Sequence, residues 1–255
     1  MALAAACCAL PAAALLTRPD RDDAEYLELA TRYVSSVGLD APEGEAVLIA
    51  PRWLLTAAHL ARAYREPKPP ARLRIGQRDY EVQGVYLHPD WKPGGESDIA
   101  LLLLRADVRG IDPTPVYRAG DESGKAVVIV GHGETGRLGA KPTASDRRKR
   151  ASINTVDRVT ARTLGVQVKS LDDASDLQGA AAGGDGGGPA YIETAEGLFV
   201  AGIGGAPLAT ADGIVGKAGD WETYARVSAF APWIEATMLD VARQEAEALL
   251  GEGRR

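Results

Sequence analysis

Short apolar stretches separated by turn-forming residues dominate the hydrophobic pattern of this chain. Runs such as EAVLIA, YEVQGVYL, IALLLL and KAVVIV recur along most of it, with Gly, Pro, Asp and Ser between them. Runs of this kind are typical of β-strands. No long helical pattern interleaves them, which excludes an alternating strand-helix architecture. Many short strands at near-regular spacing therefore predict an all-β sandwich or barrel.

Helical patterns flank the predicted strands. DDAEYLELATRY spaces its apolar residues for one face of a short helix, which we place in an N-terminal helical segment over residues 18–32. A second pattern opens near Ser228 and predicts a C-terminal helix and charged tail over residues 229–255. Residues 106–124 are rich in turn formers and divide the strands into two comparable halves, so they are predicted to link two domains.

The N-terminus has the outline of an export signal. The first 16 residues carry no charged side chain, and a polar stretch follows abruptly, so we assign residues 1–17 to a signal peptide. The segment is short for a membrane span, and Ala12–Ala14 supply the small residues that a signal peptidase recognises. Because the usual Lys or Arg is missing, a buried or frayed N-terminus is the alternative. We expect a secreted, periplasmic or cell-envelope protein without a stable membrane span.

Composition excludes several classes of function. A formal net charge of −6 argues against a nucleic-acid partner, because phosphate binding needs an excess of Lys and Arg. The one basic run, RRKR at residues 147–150, is predicted to be a solvated loop. Cys7 and Cys8 both lie in the candidate signal, so a processed chain would have neither disulfide nor Cys-based metal site. No motif supports a metal, a nucleotide or haem, and we expect no cofactor.

One glycine motif needs separate consideration. VVIVGHGETG contains G-x-G-x-x-G at Gly131, Gly133 and Gly136, directly after a predicted strand. A dinucleotide fingerprint also requires a helix at this point, whereas the following RLGAKPTAS contains Gly and Pro. The sequence predicts a tight turn from strand to loop instead.

Three further stretches carry candidate chemistry. LIAPRWLLTAAHL is a strand that ends in small residues at His59, and SDIALLLL places Asp98 just before an apolar strand. A half-buried carboxylate there needs a partner, and an imidazole is oriented by such an acid. GGDGGGPA, residues 183–190, packs five glycines around Asp185. Taken singly, the histidine is a packing residue and the glycine loop a flexible turn.

In this order the three stretches resemble the signatures T-A-A-H, D-I-A-L and G-D-S-G-G-P of the trypsin-like serine protease family. The resemblance covers roughly residues 33–238 and includes TYARVSAFAPWIEATM, which resembles the family's last strand and closing helix. It implies an all-β fold of two antiparallel six-stranded barrels with a C-terminal helix and the site in the cleft between the barrels. The first barrel would span about 33–110 and the second about 124–228.

The resemblance implies roles for individual residues. His59 matches the general base and Asp98 the acid that orients it. The position of the nucleophilic serine is occupied by Gly186, which has no side chain. The backbone amides of Gly184 and Gly186 would still form an oxyanion hole. Removing the nucleophile from a related triad lowers turnover about a millionfold.

Other positions depart from the family pattern. The base of the specificity pocket is Ala180 and not an acid, so a preference for Lys or Arg is not implied. Gly204, Gly205 and Ala206 stand where the family has a Ser-Trp-Gly segment, which weakens the pocket wall. Asp185 matches an acid that braces the loop by pairing with a new N-terminus. TRYVSSVG offers no such terminus, so the partner of this acid is open.

These observations favour a catalytically impaired or inactive protease homologue. We expect a monomer that binds a peptide or protein ligand in the inter-barrel cleft. One alternative is an active serine-type endopeptidase or hydrolase of this family, either because activated water replaces the hydroxyl or because Gly186 is peculiar to this copy and close relatives keep the serine. The other is a purely structural two-barrel domain, which side chains filling the cleft would favour.

Overall fold

Strands make up most of the structure. The computed structural model describes residues 15–65, 70–143, 145–205 and 211–252. The elements of the first half are β1 (Leu15–Thr17), α1 (Asp23–Ala30), β2 (Ser36–Asp40), β3 (Glu43–Ala50), β4 (Trp53–Thr56), α2 (Ala58–Ala61), a 3-10 turn (Arg62–Tyr64), β5 (Arg72–Ile75), β6 (Arg78–Leu87) and β7 (Ala100–Leu104). Those of the second half are β8 (Ala126–Gly131), β9 (Thr135–Arg137), β10 (Arg150–Thr155), β11 (Arg158–Val159), β12 (Thr163–Gln167), β13 (Gly179–Ala180), β14 (Pro189–Thr194), β15 (Gly197–Gly204), β16 (Trp221–Arg226) and α3 (Val227–Glu252).

The first sheet is an antiparallel barrel. Its strands follow the order β2-β3-β4-β7-β6-β5, and the edge strands β2 and β5 contact each other, so that the barrel is nearly closed. All five residues of β7 are buried. This explains why its sequence is continuously apolar instead of alternating, because both of its faces lie in protein.

The second sheet curves into a half-barrel with the order β10-β8-β14-β15-β16-β12-β11. It has seven strands instead of the predicted six, because the two-residue β11 extends its edge. A small third sheet places β1 between β9 and β13. The strands β14 and β15 contact β3 and β4, so apolar residues of both barrels pack together in one large cluster, and the second barrel has a further cluster of its own. The predicted all-β, two-barrel fold with a C-terminal helix is confirmed.

The basic run at residues 147–150 is not the solvated loop that its composition predicted. Arg150 is fully buried at the start of β10, and its guanidinium donates to both carboxylate oxygens of Asp23 at 2.6 Å. The same group contacts Asp146 at 3.1 and 3.2 Å. Lys149 is partly buried, and its ammonium donates to two backbone carbonyls. Because Asp23 begins α1, the buried arginine fastens this helix to the second sheet.

Replacing this arginine tests its structural role. In Arg150→Met the apolar volume is kept, but Asp23 and Asp146 lose their shared cation. Removing one partner of a buried ion pair costs about 3–5 kcal/mol, and we expect about 3 kcal/mol because both acids keep some exposure. Urea unfolding followed by tryptophan fluorescence measures this loss.

The matched control is Arg148→Met, since the Arg148 side chain is exposed. We expect it to change the free energy of unfolding by less than about 0.5 kcal/mol. Equal effects of the two substitutions would contradict the proposed anchoring of α1.

Candidate active site

The pairing of two strands brings the candidate base and its acid together. His59 follows β4, Asp98 precedes β7, and these strands are antiparallel neighbours with Thr56 opposite Ala100. The end of one therefore lies beside the start of the other. His59 Nδ1 lies 2.7 Å from Asp98 Oδ2, and the His59 backbone N–H donates to Asp98 Oδ1 at 2.8 Å. A carboxylate on Nδ1 accepts its proton, which leaves Nε2 free to accept another.

The position of the expected nucleophile faces that free nitrogen. A Cβ atom placed on Gly186 would lie 3.4 Å from His59 Nε2 and 3.4 Å from the carbonyl oxygen of Gly205. Both distances are ordinary contacts, so a small side chain fits here. The carbonyl of Gly186 accepts the N–H of Glu45 at 2.8 Å, which fixes the loop against β3. The structure thus brings His59, Asp98 and Gly186 together, as the motifs predicted.

The loop around Gly186 presents two free backbone amides. The N–H groups of Asp185, Gly187 and Gly188 donate to backbone carbonyls within or beside the loop. In contrast, the N–H groups of Gly184 and Gly186 make no hydrogen bond within the described part of the chain. A peptide carbonyl or an oxyanion could accept from both. Their assignment as an oxyanion hole stays a prediction.

Asp185 lies at the centre of this loop and is 3% exposed. Its Oδ1 accepts the N–H of Gly133 at 2.8 Å, and its Oδ2 accepts the N–H of Ala182 at 2.9 Å. Burial raises the pKa of this carboxyl well above its usual range, and the nearby Glu45 raises it further. Within the described residues no cation pairs with it. The sequence left the partner of Asp185 open. In the described part of the chain its partners are backbone N–H groups.

The two glycines of the GHG segment allow this arrangement. A Cβ atom on Gly131 would lie 2.1 Å from Asp185 Oδ1, and one on Gly133 would lie 2.3 Å from the carbonyl oxygen of Gly183. Larger residues would push the loop away. The strand β9, and not a helix, follows these glycines. These glycines allow close packing, which agrees with the predicted tight turn from strand to loop. The segment lacks the helix that a dinucleotide would need.

The strand β1 lies beside the same acid. Leu15 and Leu16 are fully buried, and Leu16 pairs with Ala180. The Leu15 side chain comes within 3.2 Å of the Cβ position on Gly131 that the Asp185 carboxylate also approaches. TRYVSSVG is therefore not the segment beside Asp185; the residues of β1, LLT, lie next to this acid instead. The apolar run at residues 15–16, after three alanines, is the signal that was missed.

An open cleft lies beside His59. Its volume is about 660 Å³, and its lining includes His59 and Asp98 on one side and Thr163 and Trp221 on the other. Because the described side chains leave this space free, the structure gives no support to a purely structural domain with a filled cleft.

A smaller cavity contains the predicted pocket residues Ala180, Gly204 and Gly205. Ala206 lies outside the described residues. Sequence analysis missed Glu222, which also lines this cavity. It lies on β16 two residues before the buried Tyr224, so the period of the strand is the signal that could have found it.

Among the described residues, no group of three or more His, Cys, Asp or Glu side chains is arranged to hold a metal ion. Over the same part of the chain, no helix has both the length and the apolar character needed to cross a membrane.

Comparison with models of known protein families gives a match. The model of the protein family described as Trypsin matches residues 31–234, which include both barrels, His59, Asp98 and Gly186. No curated protein matches the chain.

Proposed function

The chain belongs to the trypsin family, and on this premise we propose that it binds peptides in its inter-barrel cleft without cleaving them. One observation carries the proposal: Gly186 stands beside His59 Nε2, where the reaction needs a hydroxyl, while His59 Nδ1 keeps its contact of 2.7 Å with Asp98. We further propose that the protein acts as a monomer.

The missing hydroxyl removes the step on which cleavage depends. In peptide hydrolysis of this kind, the imidazole takes a proton from a fixed hydroxyl as that oxygen attacks the carbonyl. His59 has the orientation for this step but nothing covalently held to deprotonate. A water in the same space would lack the fixed position that makes such an attack fast. Loss of the nucleophile lowers turnover about a millionfold in a related triad.

Peptide binding does not require a nucleophilic hydroxyl at position 186. The free N–H groups of Gly184 and Gly186 can donate to a peptide carbonyl, and the cleft offers an aromatic surface at Trp91 and Trp221. Hydrogen bonds from preformed backbone donors require little reorganisation. The loop is therefore suited to hold a peptide bond in place.

A second candidate function is hydrolysis through activated water. The observation that favours it is the retained contact of 2.7 Å between His59 and Asp98, together with free space at Nε2. This pair would act as a base on a water in the place of the missing side chain.

We also propose that the protein is exported and that its leader ends at Ala14, three residues before the end predicted from the sequence, because Leu15–Thr17 form the buried strand β1. Residues 1–14 lie outside the described residues. The burial of Leu15 and Leu16 in β1 supports a folded domain that includes both residues. Cleavage before Leu15 would create an ammonium group on β1, whose Leu15 side chain packs near the Asp185 carboxylate, an acid without a cation among the described residues. Charge pairing there would favour the ionised carboxylate.

The leader proposal predicts the N-terminus of the mature protein. Produced in a secreting host, the chain should be recovered outside the cytoplasm with Leu15 as its first residue, as measured by intact mass and N-terminal sequencing. Recovery of a chain that still begins at Met1, or that begins after Thr17, would contradict it.

The central prediction compares the natural chain with Gly186→Ser on casein and on a mixed peptide library. The natural chain should show no turnover above the His59→Ala background. Gly186→Ser should gain activity by about a thousandfold or more over the natural chain, because the new hydroxyl would lie within reach of Nε2. Release of peptides, followed by mass spectrometry, measures both.

Gly186→Ser combined with His59→Ala is the matched control and should lose the gained activity. Turnover by the natural chain that His59→Ala abolishes would support the second candidate and contradict the first. If neither chain cleaves, calorimetry with the library decides, and failure of the natural chain to bind any peptide would contradict the proposed function.

A further inference from the structure

A side cavity opens next to the cleft that contains His59. Its volume is about 110 Å³, and it shares Gly205, Trp221 and Thr223 with the cleft. A single water needs only about 10–15 Å³ of such space. The cavity can therefore take the end of a side chain from a ligand that lies in the cleft.

Glu222 contributes a carboxylate to the lining of this cavity. Its Oε1 accepts the N–H of Ala181, and its Oε2 accepts the hydroxyl of Tyr224 at 3.1 Å. An ionised carboxylate can accept about four hydrogen bonds, so Glu222 has capacity for a ligand. Part of its surface is open to the cavity, while protein surrounds the carboxylate on its other sides.

The described residues that line the cavity are acidic in balance and offer no compensating cation. They include three carboxylates, those of Asp185, Asp220 and Glu222, and neither Lys nor Arg. The carboxylate of Asp185 is held by backbone amides, and that of Asp220 accepts the backbone N–H of Lys217 at 2.8 Å. Burial raises the pKa of Glu222 to about 7, and the charge of Asp220 contributes.

Two other buried acids of the chain have positively charged or chargeable partners. Glu122 lies 2.9 Å from the guanidinium of Arg226, and Glu45 lies 2.8 Å from the imidazole of His132. Glu222 has no such partner among the described residues. A buried acid without a cation is costly. Asp185 also lines this cavity, but both of its oxygens accept backbone N–H groups, whereas Glu222 lies on β16 between Trp221 and Thr223, which line both the cavity and the cleft.

We propose that Glu222 makes this cavity a pocket for a cationic side chain, an ammonium or guanidinium group, of a peptide bound in the cleft. The inference rests on the proposed peptide-binding function of the same site. Val168, Val215 and Ala180 supply apolar walls for the methylene stem of such a side chain. The acid on β16 thus supplies the charge that Ala180, at the expected pocket base, does not.

The protonation state of Glu222 in the ligand-free pocket determines how the affinity for a cation changes with pH. Below pH 7 Glu222 is largely protonated and must lose its proton to pair with a cation, so affinity falls as the pH falls. Above pH 7 the acid is ionised before the ligand arrives. Between pH 6 and pH 8 the affinity for a cation should rise about tenfold and then level off.

The test uses n-butylguanidinium and its neutral isostere n-butylurea as probes, titrated into the full chain and followed by NMR. We expect the natural chain to bind the guanidinium at least about tenfold more tightly than the urea. Glu222→Gln, which keeps an acceptor for the Ala181 N–H, should abolish both this preference and its pH dependence. The control Asp220→Asn should retain the preference for the cation.

Equal binding of the two probes by the natural chain would overturn the inference, even if Glu222→Gln failed to fold. A preference that survives unchanged in folded Glu222→Gln would also overturn it.

A second pair of ligands separates this inference from the proposed function. Two peptides that differ only in arginine against citrulline are titrated by calorimetry, and the arginine peptide should bind at least about tenfold more tightly. Binding of both peptides with equal affinity would overturn the cation pocket and leave peptide binding intact. Selection of n-butylguanidinium through Glu222 without binding of any peptide would support the cation pocket and contradict the proposed function.

Discussion

The buried carboxylate of Asp185 organises the site. Its two oxygens hold the N–H groups of Gly133 and Ala182, and this tightens the chain around residues 183–188. As a result, the amides of Gly184 and Gly186 have no acceptor among the described residues. Three consequences follow from one buried charge: the close packing of the GHG segment, the free amides of the loop and the placement of position 186 beside His59. A buried acid held mainly by backbone donors is costly, so its retention indicates that the loop geometry itself matters.

The scaffold supplies the other half of the site. The pairing of β4 with β7 sets His59 against Asp98 without any help from the loop. His59 and Asp98 belong to the first barrel, whereas the free amides of the glycine loop and the smaller cavity belong to the second. A ligand in the cleft therefore contacts both barrels. A glycine at position 186 leaves these elements untouched, because none of them depends on a side chain at that position.

Short-range signals in the sequence predicted much of this structure. The strands follow from local apolar runs between turn formers, and His59, Asp98 and the glycine loop lie in short motifs whose geometry is largely local. The features that were missed depend on distant partners. Arg150 looks solvated within RRKR, yet it is buried by Asp23, which lies 127 residues away. Likewise β1 pairs with strands far along the chain, and the direction of Glu222 depends on which face of β16 meets the cavity.

The central claim is that the site lacks only its nucleophile. Reaction of Gly186→Ser with a fluorophosphonate, followed by intact mass spectrometry and peptide mapping, tests it most directly. We expect one phosphonyl group at position 186, and no such adduct on the natural chain or on Gly186→Ser combined with His59→Ala. Failure of folded Gly186→Ser to react, or equal reaction without His59, would show that more than the hydroxyl has been lost and would contradict this account.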